Sequence, residues 1–165
     1  TFKDVLVGDV WVCSGQSNME MGLTETDNGP AVIKAANHPN IRLFLIKQNV
    51  SYTPALLPDA KWAVCSPETV GQGGWGGFSA VGYYFGRMLN RELNVPVGLV
   101  QAAWGGTAAE AWASEGGLQT LKDFDEVIGR IQKDRADGSA PSGTLADLWI
   151  KEKVKTTQAA SPTLD

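Results

Sequence analysis

The stretch Gly8–Met21, with the sequence GDVWVCSGQSNMEM, most constrains how this chain can fold. Its apolar run, Val10–Cys13, has the length of a strand that is buried inside a sheet. The run stops abruptly at a small polar turn, Ser14–Asn18. A buried strand that ends in such a turn places side chains at the carboxyl end of a parallel sheet, where open α/β folds form their sites. The stretch therefore predicts the first strand of an α/β domain, followed by a functional turn.

Ser17 is the candidate nucleophile in this turn. Gly15 lets the backbone turn without a Cβ clash, so that the Ser17 hydroxyl is expected to face solvent. The backbone N–H groups that follow are expected to face a developing negative charge. The alternative for any serine at such a place is a plain turn or helix-cap residue. The pattern is not the G-x-S-x-G nucleophile elbow, because Met19 stands where that motif has its second glycine.

A second strand of the same kind is predicted over Val97–Ala103, and it also ends in small residues, Trp104–Thr107. A helix lies between the two strands, which is the order of a βαβ unit with parallel strands. Both carboxyl ends then lie at one edge of the sheet. The backbone N–H of Gly105, or of Gly106 as the fallback, is predicted to help bind an oxyanion beside Ser17. The glycines could equally serve the turn alone.

The intervening segment Ser79–Leu93 is the strongest helix prediction in the chain. Its apolar residues at helical spacing predict a face buried in the core, made of Val81, Phe85, Met88 and Leu89. Ser79 is predicted to cap the start of the helix. Gly82 and Gly86 leave a flat strip on which another element can approach closely.

The other predicted elements of the first part of the chain are shorter. Strands are predicted over Ile41–Lys47 and Lys61–Cys65, and a short helix over Ala31–Asn37. Met19–Pro30 is predicted as a loop. The glycine-rich segment Thr69–Gly77 is either a loop that flanks the site or a plain mobile loop.

Beyond Trp112 a second amphipathic helix is predicted, with Leu121, Phe124, Ile128 and Ile131 on its apolar face. Thr120-x-x-Asp123 is a possible capping box for it. A linker over Gly138–Gly143, a short helix over Leu145–Val154 and a disordered polar tail over Thr156–Asp165 are predicted to follow.

Composition limits the function classes. A chain of 165 residues is long enough for one domain with a real core. The formal net charge of −4 provides no basic surface for nucleic acid, and no apolar run is long enough to cross a bilayer. Cys13 and Cys65 are the only cysteines. Cys13 is predicted to be a small buried apolar residue, although a bridge between the two is possible.

Four stretches of the chain together resemble the SGNH (GDSL-like) hydrolases, in the branch that contains sialate O-acetylesterases and related carbohydrate acetylesterases. These are GDVWVCSGQSNMEM, KWAVCSPETV, GFSAVGYYFGRML and VPVGLVQAAWGGTAAEAW, in that branch's order over residues 1–115. The resemblance implies an α/β fold with three α/β/α layers, flavodoxin-like, and a mainly parallel sheet. Residues 1–165 would be part of such a catalytic domain, with 116–165 as a helical and linker segment.

The resemblance implies a serine esterase that removes O-acetyl groups from sugars by acyl transfer through Ser17. It implies no cofactor and no metal, and an exported protein in a periplasmic, secreted or lysosomal setting. We predict Gln16 and Asn18, beside the nucleophile, as substrate contacts. Trp104 and Trp75 are predicted to offer aromatic faces to a sugar, the alternative for each being a residue at the edge of the core.

A catalytic serine needs a base, and the only histidine is His38, in the sequence NHPN. The resembling family takes its histidine from a later D-x-x-H block, which this sequence lacks. We therefore interpret His38 as a solvated turn residue, and the chain as an amino-terminal piece with little activity alone. A piece of this kind would lack later strands of the sheet. Its exposed sheet edge would then bind a complementing polypeptide or pair with a second copy of the chain. The alternative is a non-catalytic carbohydrate-binding or assembly module on the same scaffold.

Overall fold

The computed structural model describes residues 3–50 and 60–138 of the chain. They divide into two compact units. The described residues of the first unit are 3–48 and 60–105, and those of the second are 49–50 and 106–138. The helix predicted over Leu145–Val154, the predicted tail and all but the first residue of the predicted linker lie outside the described residues.

The first unit contains a four-stranded, mostly parallel sheet. Its strands in chain order are β1 (Asp9–Gly15), β2 (His38–Leu45), β3 (Trp62–Cys65) and β4 (Val97–Ala103). Their order across the sheet is β1-β4-β2-β3. β4 is parallel to both of its neighbours, whereas β3 is antiparallel to β2. The predicted parallel pairing of the first strand with Val97–Ala103 is confirmed.

Among its described residues, the helices of the first unit complete a mixed α/β fold. They are α1 (Ser17–Glu20), α2 (Gly29–Lys34), α3 (Pro67–Val70) and α4 (Ala80–Leu93), with a 3₁₀ turn over Leu23–Glu25. The loop prediction for Met19–Pro30 is wrong, because this segment holds the end of α1, the 3₁₀ turn and the start of α2. One-turn helices of this kind are too short to produce a periodic sequence pattern.

The core of the first unit lies between the sheet and α4. Its largest fully buried side chains include Tyr83, Phe78, Ile41 and Leu99. The prediction that Gly82 and Gly86 permit a close approach is confirmed. A Cβ atom at Gly86 would lie 2.7 Å from Leu99 Cδ1, and one at Gly82 would lie 2.9 Å from Cys13 Sγ. A side chain at either position would therefore push α4 away from β1 and β4.

The predicted buried face of α4 is wrong for two of its residues. Val81 and Met88 are 48% and 50% exposed, and the buried residues of the helix are Ala80, Gly82, Tyr83 and Gly86. The glycines turn toward the sheet because the helix gains more contact from a close approach of its backbone than from its larger apolar side chains. Ser79 caps the helix as predicted, since its Oγ accepts the Gly82 N–H at 3.1 Å.

The first strand is also less buried than its sequence predicts. Val10 and Val12 are 62% and 69% exposed and Trp11 is 44% exposed, whereas Cys13 is buried. The physical reason is that β1 is an edge strand of the described sheet. Cys13 faces α4, while Val10 and Val12 lie on the opposite face.

The described residues of the second unit form the helices α5 (Glu115–Leu118) and α6 (Asp125–Ala136), and 3₁₀ turns over Ala109–Trp112 and Lys122–Phe124. Phe124 and Ile128 pack with Leu118 in a small core of their own, whereas Leu121 is exposed. The predicted capping box is wrong. Phe124 occupies the N-cap of α6 without a side-chain bond, and the Thr120 hydroxyl donates to the Gly117 carbonyl instead.

Cys13 and Cys65 are both free and buried. Burial raises the pKa of the Cys13 thiol and raises that of Cys65 to about 12. Both are therefore packed, protonated thiols, as predicted for Cys13. None of the helices in the described ranges has both the length and the apolar character needed to span a lipid bilayer.

Candidate active site

The carboxyl ends of β1 and β4 are tied together at the edge of the sheet where Ser17 lies. Gly15 is opposite Ala103 in the parallel ladder. One residue further along, the Trp104 N–H donates to the Gly15 carbonyl at 3.0 Å. Gly15 has a φ of +143°, a conformation that favours glycine, and the chain then turns into α1. The turn after β1 and the turn after β4 consequently start from adjacent points.

Ser17 and Gly105 come together at these two turns. A Cβ atom at Gly105 would lie 3.1 Å from Ser17 Oγ and 3.4 Å from Ser17 Cα. Ser17 is half-buried as the first residue of α1. A larger residue here would be in tight contact with the serine, which would have to shift by a few tenths of an ångström. The arrangement places one hydroxyl beside one glycine backbone.

Glu20 adds a carboxylate to this pair. It lies at the end of α1, one helical turn after Ser17, and its Oε2 accepts the Gly105 N–H at 2.5 Å. Its other oxygen, Oε1, accepts a hydrogen bond from Gln48 Nε2 at 2.6 Å. The backbone donor that we predict for an oxyanion is therefore bound to an anionic side chain in this structure.

The segment that carries Ser17 is anchored to the start of α4. The buried Gln101 of β4 accepts the Ser79 N–H through its Oε1 at 2.7 Å. The Ala80 N–H donates to the Met21 carbonyl at 2.9 Å. These hydrogen bonds connect the start of α4 to both the end of β4 and the segment after α1. They thus fix the position of Ser17 relative to the sheet.

The glycine-rich loop flanks this site. A Cβ atom at Gly74 would lie 3.5 Å from Glu20 Oε1, and the Trp75 carbonyl accepts the Gly22 N–H at 2.8 Å. The Trp75 side chain is 46% exposed. Trp104 is half-buried and adjoins the site through its backbone. These positions leave the sugar-stacking roles of the two tryptophans as predictions.

Gln16 and Asn18 both flank Ser17 and are exposed. The Gln16 carbonyl accepts the N–H groups of Met19 and Glu20 at 2.9 Å and so starts α1. Their predicted contacts with substrate stay predictions. Gly106, the fallback oxyanion donor, is exposed and has a φ of +76°, and it is the first residue of the second unit after β4.

His38 lies at the opposite end of the sheet from Ser17. It is the first residue of β2, and the nearby Ile41 pairs with Val97, whereas Gly15 pairs with Ala103. At about 3.3 Å per residue, the length of β4 separates the two ends by about 20 Å. His38 therefore has no access to the Ser17 hydroxyl, in agreement with its rejection as the base.

The interpretation of His38 as a solvated turn residue is wrong. It is half-buried, and its Nε2 lies 3.1 Å from the hydroxyl of the buried Tyr83. Burial lowers the pKa of His38, and the positive charge of Arg87 lowers it further. His38 is a packed, neutral residue that connects β2 to α4.

Two residues of this site, Glu20 and Gln48, are missing from the sequence predictions. Glu20 follows Ser17 by three residues, the spacing that places two side chains on one face of a helix. That spacing could have revealed it if Ser17–Glu20 had been read as helical. Gln48 follows β2 in an irregular segment, where no pattern indicates its partner.

Comparison with known proteins identifies the family of this chain. Residues 7–151 match the family model described as carbohydrate esterase, sialic acid-specific acetylesterase. The chain is 37% identical to human sialate O-acetylesterase over 151 residues and 38% identical to the mouse protein over 123 residues. These alignments cover 89% and 72% of this chain, but only 28% and 22% of the relatives.

Among solved structures, a carbohydrate acetylesterase from Xanthomonas citri matches with a TM-score of 0.61 and 37% identity, covering 70% of this chain and 26% of that one. The chain thus spans about a quarter of the length of the relatives it matches. The family model matches most of the chain, including both strand ends described above. The chain belongs to the sialic acid-specific acetylesterase family of carbohydrate esterases.

Proposed function

We propose that this chain carries the nucleophile of a serine esterase that removes O-acetyl groups from sugars. The observation that supports it most is the convergence of Ser17 and Gly105, where a Cβ on the glycine would lie 3.1 Å from the serine Oγ. Family membership supports the substrate class, because the matched relatives are named as sialate and carbohydrate acetylesterases.

In the proposed reaction, Ser17 Oγ attacks the carbonyl carbon of the acetyl ester and its proton passes to a base. The bond between that carbon and the sugar oxygen breaks, and the sugar oxygen takes the proton as it leaves. Water then hydrolyses the acetyl-serine and releases acetate. Backbone N–H groups at Ser17 and Gly105 stabilise the oxyanion, an effect worth about 3 kcal/mol for each donor.

The base is proposed to come from another polypeptide segment. His38 is the only histidine of the sequence and lies at the far end of the sheet. The chain alone is therefore expected to hydrolyse 4-nitrophenyl acetate poorly. A turnover rate that disappears in Ser17→Ala would contradict this and would show that the chain holds a base of its own.

The nucleophile itself is testable without that partner. We expect that imidazole, supplied as the base, allows 4-nitrophenyl acetate to acetylate Ser17, and peptide mass spectrometry measures the acetyl group at each serine. Ser14, which is exposed at the end of β1, is the internal control. Acetylation of Ser17 no faster than that of Ser14 would refute the proposed role.

The partner is proposed to be a complementing polypeptide that adds to the free edge of β1. Val10 and Val12 are exposed there, on the face of the sheet opposite α4. Val12→Lys is expected to lower any association of the chain in gel filtration, whereas Val7→Lys, also at an exposed valine but outside the strand, serves as the control. Self-association is the other outcome. A compact monomer with a sharp unfolding transition would contradict the need for a partner.

One observation favours the non-catalytic alternative, a carbohydrate-binding or assembly module. The Gly105 N–H is bound to the Glu20 carboxylate instead of being free for an oxyanion. The acetylation experiment separates the two functions, because an idle serine turn would give no preference for Ser17.

A further inference from the structure

The Glu20 carboxylate occupies the acceptor position of the Gly105 backbone N–H, with Oε2 2.5 Å from the nitrogen. A backbone N–H makes one well-aligned hydrogen bond, so this acceptor excludes another at the same place. The second carboxylate oxygen is held by Gln48 at 2.6 Å. Two hydrogen bonds therefore keep one negative side chain beside Ser17.

We propose, as a consequence of the esterase function proposed above, that Glu20 is an internal competitor for the oxyanion donor. The carboxylate takes the place that the oxygen of an ester carbonyl would take at Gly105. It must withdraw before a substrate can use that N–H. Glu20 is thereby a positioning residue whose carboxylate occupies the Gly105 N–H in this structure.

The competition follows from charge. Hydrogen bonds to an ionised acceptor are about twice as strong as those to a neutral one. A neutral ester carbonyl is therefore a poor competitor for a donor that already binds a carboxylate. An oxyanion is a better competitor, but its negative charge is repelled by Glu20 as long as the side chain stays in place.

The same geometry indicates which class of ligand can bind the Gly105 N–H once Glu20 no longer occupies it. A small carboxylate has the acceptor group that Glu20 provides, and acetate, the product of the proposed reaction, belongs to this class. Removal of the Glu20 side chain leaves Gly105 without its partner while the Gln48 amide remains nearby. Acetate is then expected to restore the missing hydrogen bond.

The test follows the Gly105 amide by NMR in the full ¹⁵N-labelled chain, titrated with sodium acetate and, separately, with sodium chloride. In Glu20→Ala, acetate is expected to shift this amide saturably, with a Kd about tenfold below that of the unchanged chain. Glu20→Gln keeps the size of the side chain and is expected to show a smaller effect with the native fold. Glu25→Gln, at an exposed glutamate whose Oε1 accepts from Thr24, is the matched control.

An equal acetate response in the unchanged chain and both Glu20 variants would overturn the proposal. So would a Gly105 amide whose resonance is the same with and without the Glu20 carboxylate. The two Glu20 variants protect the test from a folding defect, because the glutamine variant is isosteric.

Acetylation of Ser17 in the presence of imidazole separates this inference from the esterase function. An increase of about tenfold in the rate of Ser17 acetylation in Glu20→Ala supports both the competition by Glu20 and the esterase function. If Ser17 is acetylated at the same rate in all variants, the proposed competition by Glu20 is refuted, whereas the proposed esterase function still stands. If acetate binds as expected but Ser17 is not acetylated in preference to Ser14, the proposed esterase function is refuted. The Gly105 N–H is then an anion-binding site without that function.

Discussion

Gly86→Ala tests the close packing of α4 on the sheet, which positions the strand ends of the site. In a helix interior, alanine is favoured over glycine by about 1 kcal/mol. At Gly86, however, the new Cβ would lie 2.7, 2.9 and 3.1 Å from three atoms of the fully buried Leu99 side chain. Overpacking of a core costs about 1–3 kcal/mol, and contact with three buried atoms favours the upper part of that range. We expect a net loss of about 2 kcal/mol in the free energy of unfolding.

Gly129→Ala is the matched control for this substitution. Gly129 lies inside α6, and a Cβ there would meet no atom within 4 Å. This substitution is expected to stabilise its own unit by up to about 1 kcal/mol. Urea unfolding, followed by tryptophan fluorescence and circular dichroism, measures both variants. The pair separates helix propensity from the clash with the sheet.

A double-mutant cycle with Leu99→Ala completes the experiment. Leu99→Ala alone is expected to cost about 2–5 kcal/mol because it opens a cavity. It also removes all three atoms that the alanine at position 86 would meet. The two changes together should therefore cost less than the sum of the single changes, by about 2 kcal/mol. If Gly86→Ala stabilises the chain as Gly129→Ala does, or if the coupling is zero, the packing argument is refuted.

Three further predictions concern protonation, thiol reactivity and the sheet edge. Since the pKa of His38 is lowered in the folded chain from its ordinary 6.5, the unfolded chain binds that proton more tightly. Stability should consequently fall as the pH drops below about 6.5, and His38→Gln should remove that part of the pH dependence of urea unfolding; a pKa above 6.5 by NMR titration would reverse the sign. Cys13 and Cys65 are expected to react with Ellman's reagent only in denaturant, and rapid reaction of the native chain would contradict their burial. In hydrogen exchange of the chain alone, alternate amides along β1 should exchange quickly on the side away from β4, whereas uniform protection would indicate that the edge is already paired.

The strands and the location of the site could be predicted because they depend on local sequence. Val97–Ala103 is predicted and observed with the same bounds, since an apolar run between Pro96 and a glycine turn leaves little choice. The parallel pairing of β1 and β4 is predicted from the strand–helix–strand order of the sequence, although β2 and β3 also lie between these two strands in the chain. Once that pairing is given, Ser17 and Gly105 must lie at the same edge of the sheet.

The buried side of α4 could not be predicted from periodicity, because two patterns compete on one helix. The large apolar residues Val81, Phe85 and Met88 indicate one face, and the small residues Gly82 and Gly86 allow another. The contacts of the glycines with Cys13 and Leu99 decide the outcome, and these contacts join segments far apart in the sequence. The same limit applies to Glu20, whose partner Gly105 lies 85 residues away.

If the chain carries out the proposed acyl transfer, two separate obstacles follow from its structure, and each has its own remedy. The first is that His38, the only histidine of the sequence, lies at the other end of the sheet from Ser17. The second is the Gly105 donor, which already binds Glu20. Imidazole acts on the serine proton, whereas Glu20→Ala acts on the oxyanion, so the two rate increases should multiply if the remedies are independent. The combined increase in rate could instead be no larger than the increase from imidazole alone. The Gly105 N–H would then be available whenever Ser17 reacts, and moving the Glu20 carboxylate away from it would cost no free energy.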